Sequence, residues 1–116
     1  PDAIIGLTID TQNDVLDAID QHRKMHLAYL SPVIYQSISK PTDPEHLFGK
    51  KGLEPLVAKL SHVSRRPAII AIGGLDKKNI PSIIQHGADG VAVIGAIKNS
   101  EDPLLSTQML RRAVGF

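Results

Sequence analysis

Two apolar runs that end in glycine constrain the fold of this chain more than any other feature. Pro67-Ala68-Ile69-Ile70-Ala71-Ile72-Gly73-Gly74-Leu75 is echoed downstream by Gly90-Val91-Ala92-Val93-Ile94-Gly95-Ala96-Ile97. In each, the apolar residues are consecutive rather than alternating, as in strands buried on both faces of a parallel sheet. Glycine at the end of such a strand lets backbone approach a ligand closely, and the amides exposed there can hold an anion together with the start of the next helix. Two such ends side by side make a phosphate cup, an arrangement frequent in the last two βα loops of a (βα)8 barrel.

The rest of the chain divides into the same strand-then-helix units. Ala3 to Ile9 reads as an apolar strand, and Thr11 with Asp14 resembles a capping box opening a helix through about His22. His26 to Leu30 is a second strand closed by Ser31-Pro32, and Val33 to Lys51, with Pro41, Pro44 and Gly49, reads as a long loop of the functional kind. A helix is expected from Leu53 to about Val63, with Leu53, Leu56, Val57 and Leu60 on one face. Asp76 is placed to cap a helix ending near Gln85 with Gly87 at its C′ position, and Asp102-Pro103 announces a terminal helix. Strands alternating with helices mean a parallel α/β architecture.

At 116 residues the chain suits one domain, yet it is half the length of a complete barrel, roughly 250 residues. Thirteen Lys and Arg against twelve Asp and Glu leave a net charge of +1, with no basic run interleaved with aromatics. Neither nucleic acid nor a membrane surface is recommended as a partner by that balance, which leaves small anions open. The absence of cysteine rules out a disulfide framework, a thiol nucleophile and a thiolate metal site, and suits a cytoplasmic location. The start Pro1-Asp2-Ala3 has neither an initiator Met nor a signal segment, so the chain is expected to begin within a longer protein.

The chemistry-bearing residues fall at the expected C-terminal ends of strands. Ser37-Ile38-Ser39-Lys40 sets two hydroxyls two residues apart, followed by an ammonium. In extended backbone both hydroxyls point the same way and, with the lysine, converge on one oxyanion such as pyrophosphate. A polar loop carrying an ordinary surface lysine is the competing reading, just as Gly73-Gly74 is equally a plain strand-to-helix connection. Among the histidines, His22, His26, His62 and His86 lie near helix ends and read as surface or capping residues. His46, in the long loop, is the one able to reach over a barrel mouth.

Taken together, these motifs resemble the thiamin phosphate synthase family, and the match is to the second half of its barrel. Gly6-Leu7-Thr8 stands where the family's fifth strand ends in Gly-x-Ser. Ser31-Pro32 followed by Ser37-Ile38-Ser39-Lys40 stands for Gly-Pro and Thr-x-Thr-Lys. Ile72-Gly73-Gly74-Leu75 with Asn79 matches the seventh strand end, and Gly87 through Ile97 with Asp102-Pro103 matches the eighth. The fold so implied is α/β of the (βα)8 barrel type, with residues 1–116 a single C-terminal half-barrel of four βα units corresponding to strands 5–8.

The resemblance implies a transferase that joins hydroxymethylpyrimidine pyrophosphate to thiazole phosphate with release of pyrophosphate. Thr8, Ser37, Ser39 and Lys40 would meet the diphosphate, with Lys40, Ser37 and Ser39 the catalytic groups. The Gly73-Gly74 turn, Ile94 and Gly95 would hold the thiazole phosphate through backbone amides. Mg²⁺ is the implied cofactor, its acidic ligands expected mainly in the N-terminal half and none of them here. This chain alone is therefore expected to be inactive, and to pair either with that missing half or with itself across its open strand edges. Gly95 stands where the family often has Ser, which keeps the amide but loses a hydroxyl. Asp10, where the family often has His or another polar residue, reads as a pre-helix residue.

Two alternatives remain. The related thiazole tautomerase moves protons with a catalytic His at the position of Pro32, and proline offers no titratable group. A non-catalytic phosphate-binding half-barrel would keep Gly74 and Gly95 in use and leave Ser37 to Lys40 idle.

Overall fold

The computed structural model describes residues 3–35 and 48–115. Four strands alternate with helices in the order β1 (Gly6–Ile9), α1 (Asp14–Met25), β2 (Tyr29–Pro32), α2 (Gly49–Leu60), β3 (Ala68–Ala71), α3 (Ile80–Gln85) and β4 (Gly90–Val91), then α4 (Gly95–Lys98) and α5 (Pro103–Ala113). All pairings are parallel, and the sheet order β1-β2-β3-β4 follows the chain. Three successive helical crossovers between neighbouring parallel strands, without a change of direction, make half of a (βα)8 barrel.

Register sorts the side chains into two faces. Leu7, Leu30 and Ile69 are aligned, as are Ala71 and Val91. With Ile9 they turn toward the helices, where Leu30, Ile69 and Ala71 are fully buried against Val15 of α1, Leu53, Leu56 and Leu60 of α2, and Ile80 and Ile83 of α3. The row of Thr8 and Ser31, and the row of Gly6, Tyr29 and Ala68, occupy the other face. That face is only partly covered: Tyr29 is 38% exposed and Thr8 is exposed. The consecutive apolar runs predict burial on both faces. In β3 the observed pattern instead alternates between half-buried and buried, because the second face is the one that the interior of a complete barrel would cover.

Element boundaries differ from the sequence reading at several places: in the second apolar run only Gly90–Val91 is strand and Gly95–Lys98 is helical, and three further differences have a visible reason. The first strand is shorter than expected, starting at Gly6 rather than Ala3. The second runs from Tyr29 through Ser31-Pro32 rather than stopping at Leu30. Proline is tolerated there because it needs no donor at the strand end, while its carbonyl accepts the Ile72 amide at 3.1 Å. The pairing continues past it, with Val33 bridging Ile72 and Ile34 donating to the Ile72 carbonyl at 2.8 Å, so the start of the expected long loop belongs to the sheet. Residues 36–47 of that loop, His46 among them, lie outside the described residues. The second helix begins at Gly49, ahead of the expected Leu53, because Phe48 and Gly49 donate to the Val33 and Ile34 carbonyls at 2.9 Å each and tie its start to the β2 extension.

The caps expected at Asp102 and Gly87 are in place, whereas α1 starts after Asn13 with no side-chain cap from Thr11 and α3 starts after Asn79, three residues beyond Asp76. Asp102 Oδ1 accepts the Leu105 amide at 3.1 Å with Pro103 opening α5, and Gly87, at φ 112°, follows α3. Gly87 also packs against α2, since a Cβ there would come within 2.7 Å of Val57 Cγ2. At the start of α1, Asp14 Oδ2 accepts the Thr11 amide at 3.1 Å, the acid's half of the capping box.

Candidate functional site

The carboxyl rim of the sheet gathers Thr8, Ser31, the Gly73-Gly74 turn, Ile94 and Gly95. Thr8 sits opposite Ser31 across the β1–β2 pair, which puts two hydroxyls on the same face of adjacent strands. Ser31, only 5% exposed, is a rim-facing polar residue that sequence reasoning missed. The signal that could have found it is its alignment with Thr8, invisible until the register is known. Ser37, Ser39 and Lys40 lie outside the described residues.

Gly73 and Gly74 both adopt left-handed backbone, with φ of 90° and 63°. At Gly73 the need for glycine is internal, because an added Cβ would meet the Tyr35 carbonyl oxygen at 2.7 Å and Val33 Cγ1 at 3.0 Å. The turn is therefore pressed against the β2 extension, and the Gly73 carbonyl accepts the Tyr35 amide at 3.2 Å. The following residues lock the turn. Asp76 Oδ1 accepts the amides of Lys78 and Asn79 at 2.9 and 3.0 Å, while Asn79 Oδ1 accepts the Asp76 amide at 2.9 Å. This is a reciprocal cap in which Asn takes the place of the usual Glu or Gln. Asn79 Nδ2 also donates to the Gly74 carbonyl at 3.0 Å, so an oxygen that would repel an anion is satisfied within the protein.

Next to this turn, β4 ends and α4 begins. Ile94 is 69% exposed, and its carbonyl accepts the amides of Ile97 and Lys98 at 3.2 and 2.9 Å. The amides of Gly95 and Ala96 begin the turn and by geometry have no carbonyl within it to reach. The rim thus offers two adjacent strand ends with backbone donors, flanked by a pair of hydroxyls. Such an arrangement can hold a phosphate. Pro32, at the tautomerase histidine position, is fully buried at the end of β2 and supplies no proton-transfer group.

Fold and rim together define half of a (βα)8 barrel, a class that builds its ligand sites at the carboxyl edge of the strands. Comparison with known proteins narrows this further. Residues 1–97 match the thiamine monophosphate synthase family model, and the chain belongs to that family. It is 33% identical over 115 residues to the thiamine-phosphate synthase of Chlamydia caviae, covering 98% of this chain and 50% of that protein. With the thiamine-phosphate synthase of Streptococcus suis it shares 35% identity, covering 95% of this chain and 44% of that one. Among solved structures, thiamine phosphate pyrophosphorylase from Pyrococcus furiosus superposes with a TM-score of 0.71 at 31% identity, covering 98% of this chain and 50% of that one. A 3-hexulose-6-phosphate synthase, at 20% identity and a TM-score of 0.65, shares the fold. The chain spans about half the length of the relatives it matches.

Proposed function

We propose that this chain supplies strands 5–8 of a thiamin phosphate synthase site, in which hydroxymethylpyrimidine pyrophosphate and thiazole phosphate are joined and pyrophosphate is released. The observation that carries the reading is the Gly73-Gly74 turn: it is left-handed at both residues, anchored by Asn79 and set beside the Ile94-Gly95 strand end. The amides of Gly74, Ile94 and Gly95 hold the thiazole phosphate, while Thr8, Ser37, Ser39 and Lys40 receive the departing diphosphate. Leaving-group departure builds negative charge on the diphosphate oxygens, and preorganised donors lower the barrier most where that charge develops. No side-chain nucleophile is needed.

Mg²⁺, when bound, would neutralise diphosphate charge. The family resemblance assigns its acidic ligands mainly to strands 1–4, and no step is routed through it here. Those strands come from another part of the protein, or a second copy covers the same edges. β1 and β4 lie at the sheet edges, and the exposed side chains next to them in the chain include Ile4, Ile5 and Ile94. Among the described residues no helix is long and apolar enough to cross a membrane.

Calorimetry with thiazole phosphate, and separately with pyrophosphate and Mg²⁺, tests the reading. Saturable binding of both supports a synthase half-site. Thiazole phosphate alone would leave a bare phosphate-binding module, and binding of neither would overturn the rim assignment for the isolated chain.

A further inference from the structure

A cationic cluster stands at the pole opposite the rim, where α1 hands over to β2 and α2 to β3. A cavity of about 260 Å³ there is lined by His22, Arg23, His26, His62, Ser64 and Arg65. His22 forms its floor at 4% exposure. The Leu27 amide donates to its Nδ1 at 3.0 Å, and its Nε2 lies 3.3 Å from the Ser64 carbonyl. An amide only donates and a carbonyl only accepts, so these partners select the tautomer with its hydrogen on Nε2. Arg65 Nη1 donates to His26 Nε2 at 2.8 Å, which ties the two connections together across the cavity.

Three observations single out this cleft. His26, at φ 61°, and Arg65, at φ 52°, are the two non-glycine residues with left-handed backbone among those described, and both line it. At His26 this is the left-handed C-cap of α1, its amide donating to the His22 carbonyl at 2.9 Å, whereas at Arg65 it is uncommon for a long side chain and persists where the surroundings hold it. The flanking cations are neutralised, Lys24 by Asp20 at 3.2 Å and Arg66 by Asp89 at 3.0 Å. Among the described residues no carboxylate reaches salt-bridge distance of Arg23 or Arg65. Finally, the cleft, at about 260 Å³, has room for a small anion.

We infer that this cleft binds a phosphate-type oxyanion, free or as the phosphoryl group of a small molecule, at a site separate from the rim. Arg23 and Arg65 supply the planar donor forks that match tetrahedral oxyanions, and His62 adds an imidazole at the edge. The amino-terminal pole of such a barrel is not its catalytic end, so the bound anion acts on stability or regulation rather than on turnover.

The test is an amide-resolved NMR titration with inorganic phosphate at low, fixed chloride. Saturable shifts at His26, Leu27 and Arg65 are expected, with at least tenfold weaker binding in the R23Q/R65N double variant. Arg65→Asn alone separates binding from folding, because Asn accepts left-handed backbone more readily than Arg. Its melting temperature should hold or rise while its phosphate affinity falls. Cleft resonances that stay still, or that move equally in Arg65→Asn, would overturn the inference. Shifts confined to Gly73, Gly74 and Gly95 would overturn it too, and would leave the rim assignment standing.

Discussion

Arg66 grips Asp89 through two parallel hydrogen bonds, Nη1 to Oδ2 at 3.0 Å and Nη2 to Oδ1 at 3.2 Å, immediately ahead of β3 and β4. Asp89 Oδ2 also accepts the Ile69 amide at 2.8 Å, and the Asp89 amide donates to the Ile69 carbonyl at 2.8 Å. Since β4 has only two ladder residues, this clamp does much of the work of pairing the last strand to the sheet.

Burial pushes the Asp89 carboxyl up, but the hydrogen bond from Arg66, the Ile69 amide and the Arg66 charge together hold it below the ordinary value. A carboxyl that is more acidic in the folded state than in the unfolded chain stabilises fully above the unfolded value, about pH 4, and loses that contribution as pH falls through the folded one. Asp89→Asn should cost about 1 kcal/mol near neutrality, in keeping with a half-exposed bidentate pair. In urea unfolding measured from pH 6 down to pH 3, the gap between parent and variant should close as the parent's carboxyl is protonated. A gap that stays constant would show that charge plays no part.

Two glycines that look alike in the sequence should respond differently to alanine. At Gly73 the left-handed φ and the Tyr35 carbonyl both oppose a Cβ, and backbone cannot step aside. Gly73→Ala should cost roughly 2 kcal/mol or more. At Gly6 the added methyl would occupy volume filled by the Tyr29 ring, which is the far end of a half-open side chain. Gly6→Ala should cost about 1 kcal/mol and swing that ring into the uncovered face, read as a change in tyrosine ring-current shifts in NMR.

Asn79→Ala removes one side of the cap at Asp76 and releases the Gly74 carbonyl. A loss of about 1 kcal/mol in stability is expected from the cap. If the rim holds the thiazole phosphate, affinity for that ligand should fall about fivefold as well, the equivalent of one hydrogen bond. Calorimetry and thermal unfolding on the same variant separate the two effects.

Lys40→Ala is the sharpest test of the leaving-group assignment. In an assembly that contains all eight strands, turnover should fall about 100- to 1,000-fold, as when one preorganised transition-state donor is removed. Turnover within a few fold of the parent would take Lys40 out of that role.

Much of the architecture was legible because it rests on local signals. Consecutive apolar runs, Asp102-Pro103 and Gly87 each act over one turn or one strand, and the structure has the strand, the cap and the helix stop where those residues stand. What escaped reading depends on partners far along the chain. The β2 extension exists because Val33 and Ile34 pair with Ile72, and the early start of α2 follows from that same extension. Within the site, the glycine turn was visible as a motif, but its reason was not: Gly73 is required by Tyr35, which sequence places far upstream. His22 reads as a helix-end residue and does cap the chain there, through the Leu27 amide, yet it is buried because α2's exit brings Ser64 onto its other nitrogen.

The in-order strand sequence has a consequence for how such a molecule can grow. Each strand finds its hydrogen-bonding neighbours in the units directly before and after it along the chain. Further βα units could therefore be appended at either margin without rerouting a single existing ladder. An architecture of this kind is extensible by simple concatenation, and four units can be lengthened toward eight while every bond already made is kept.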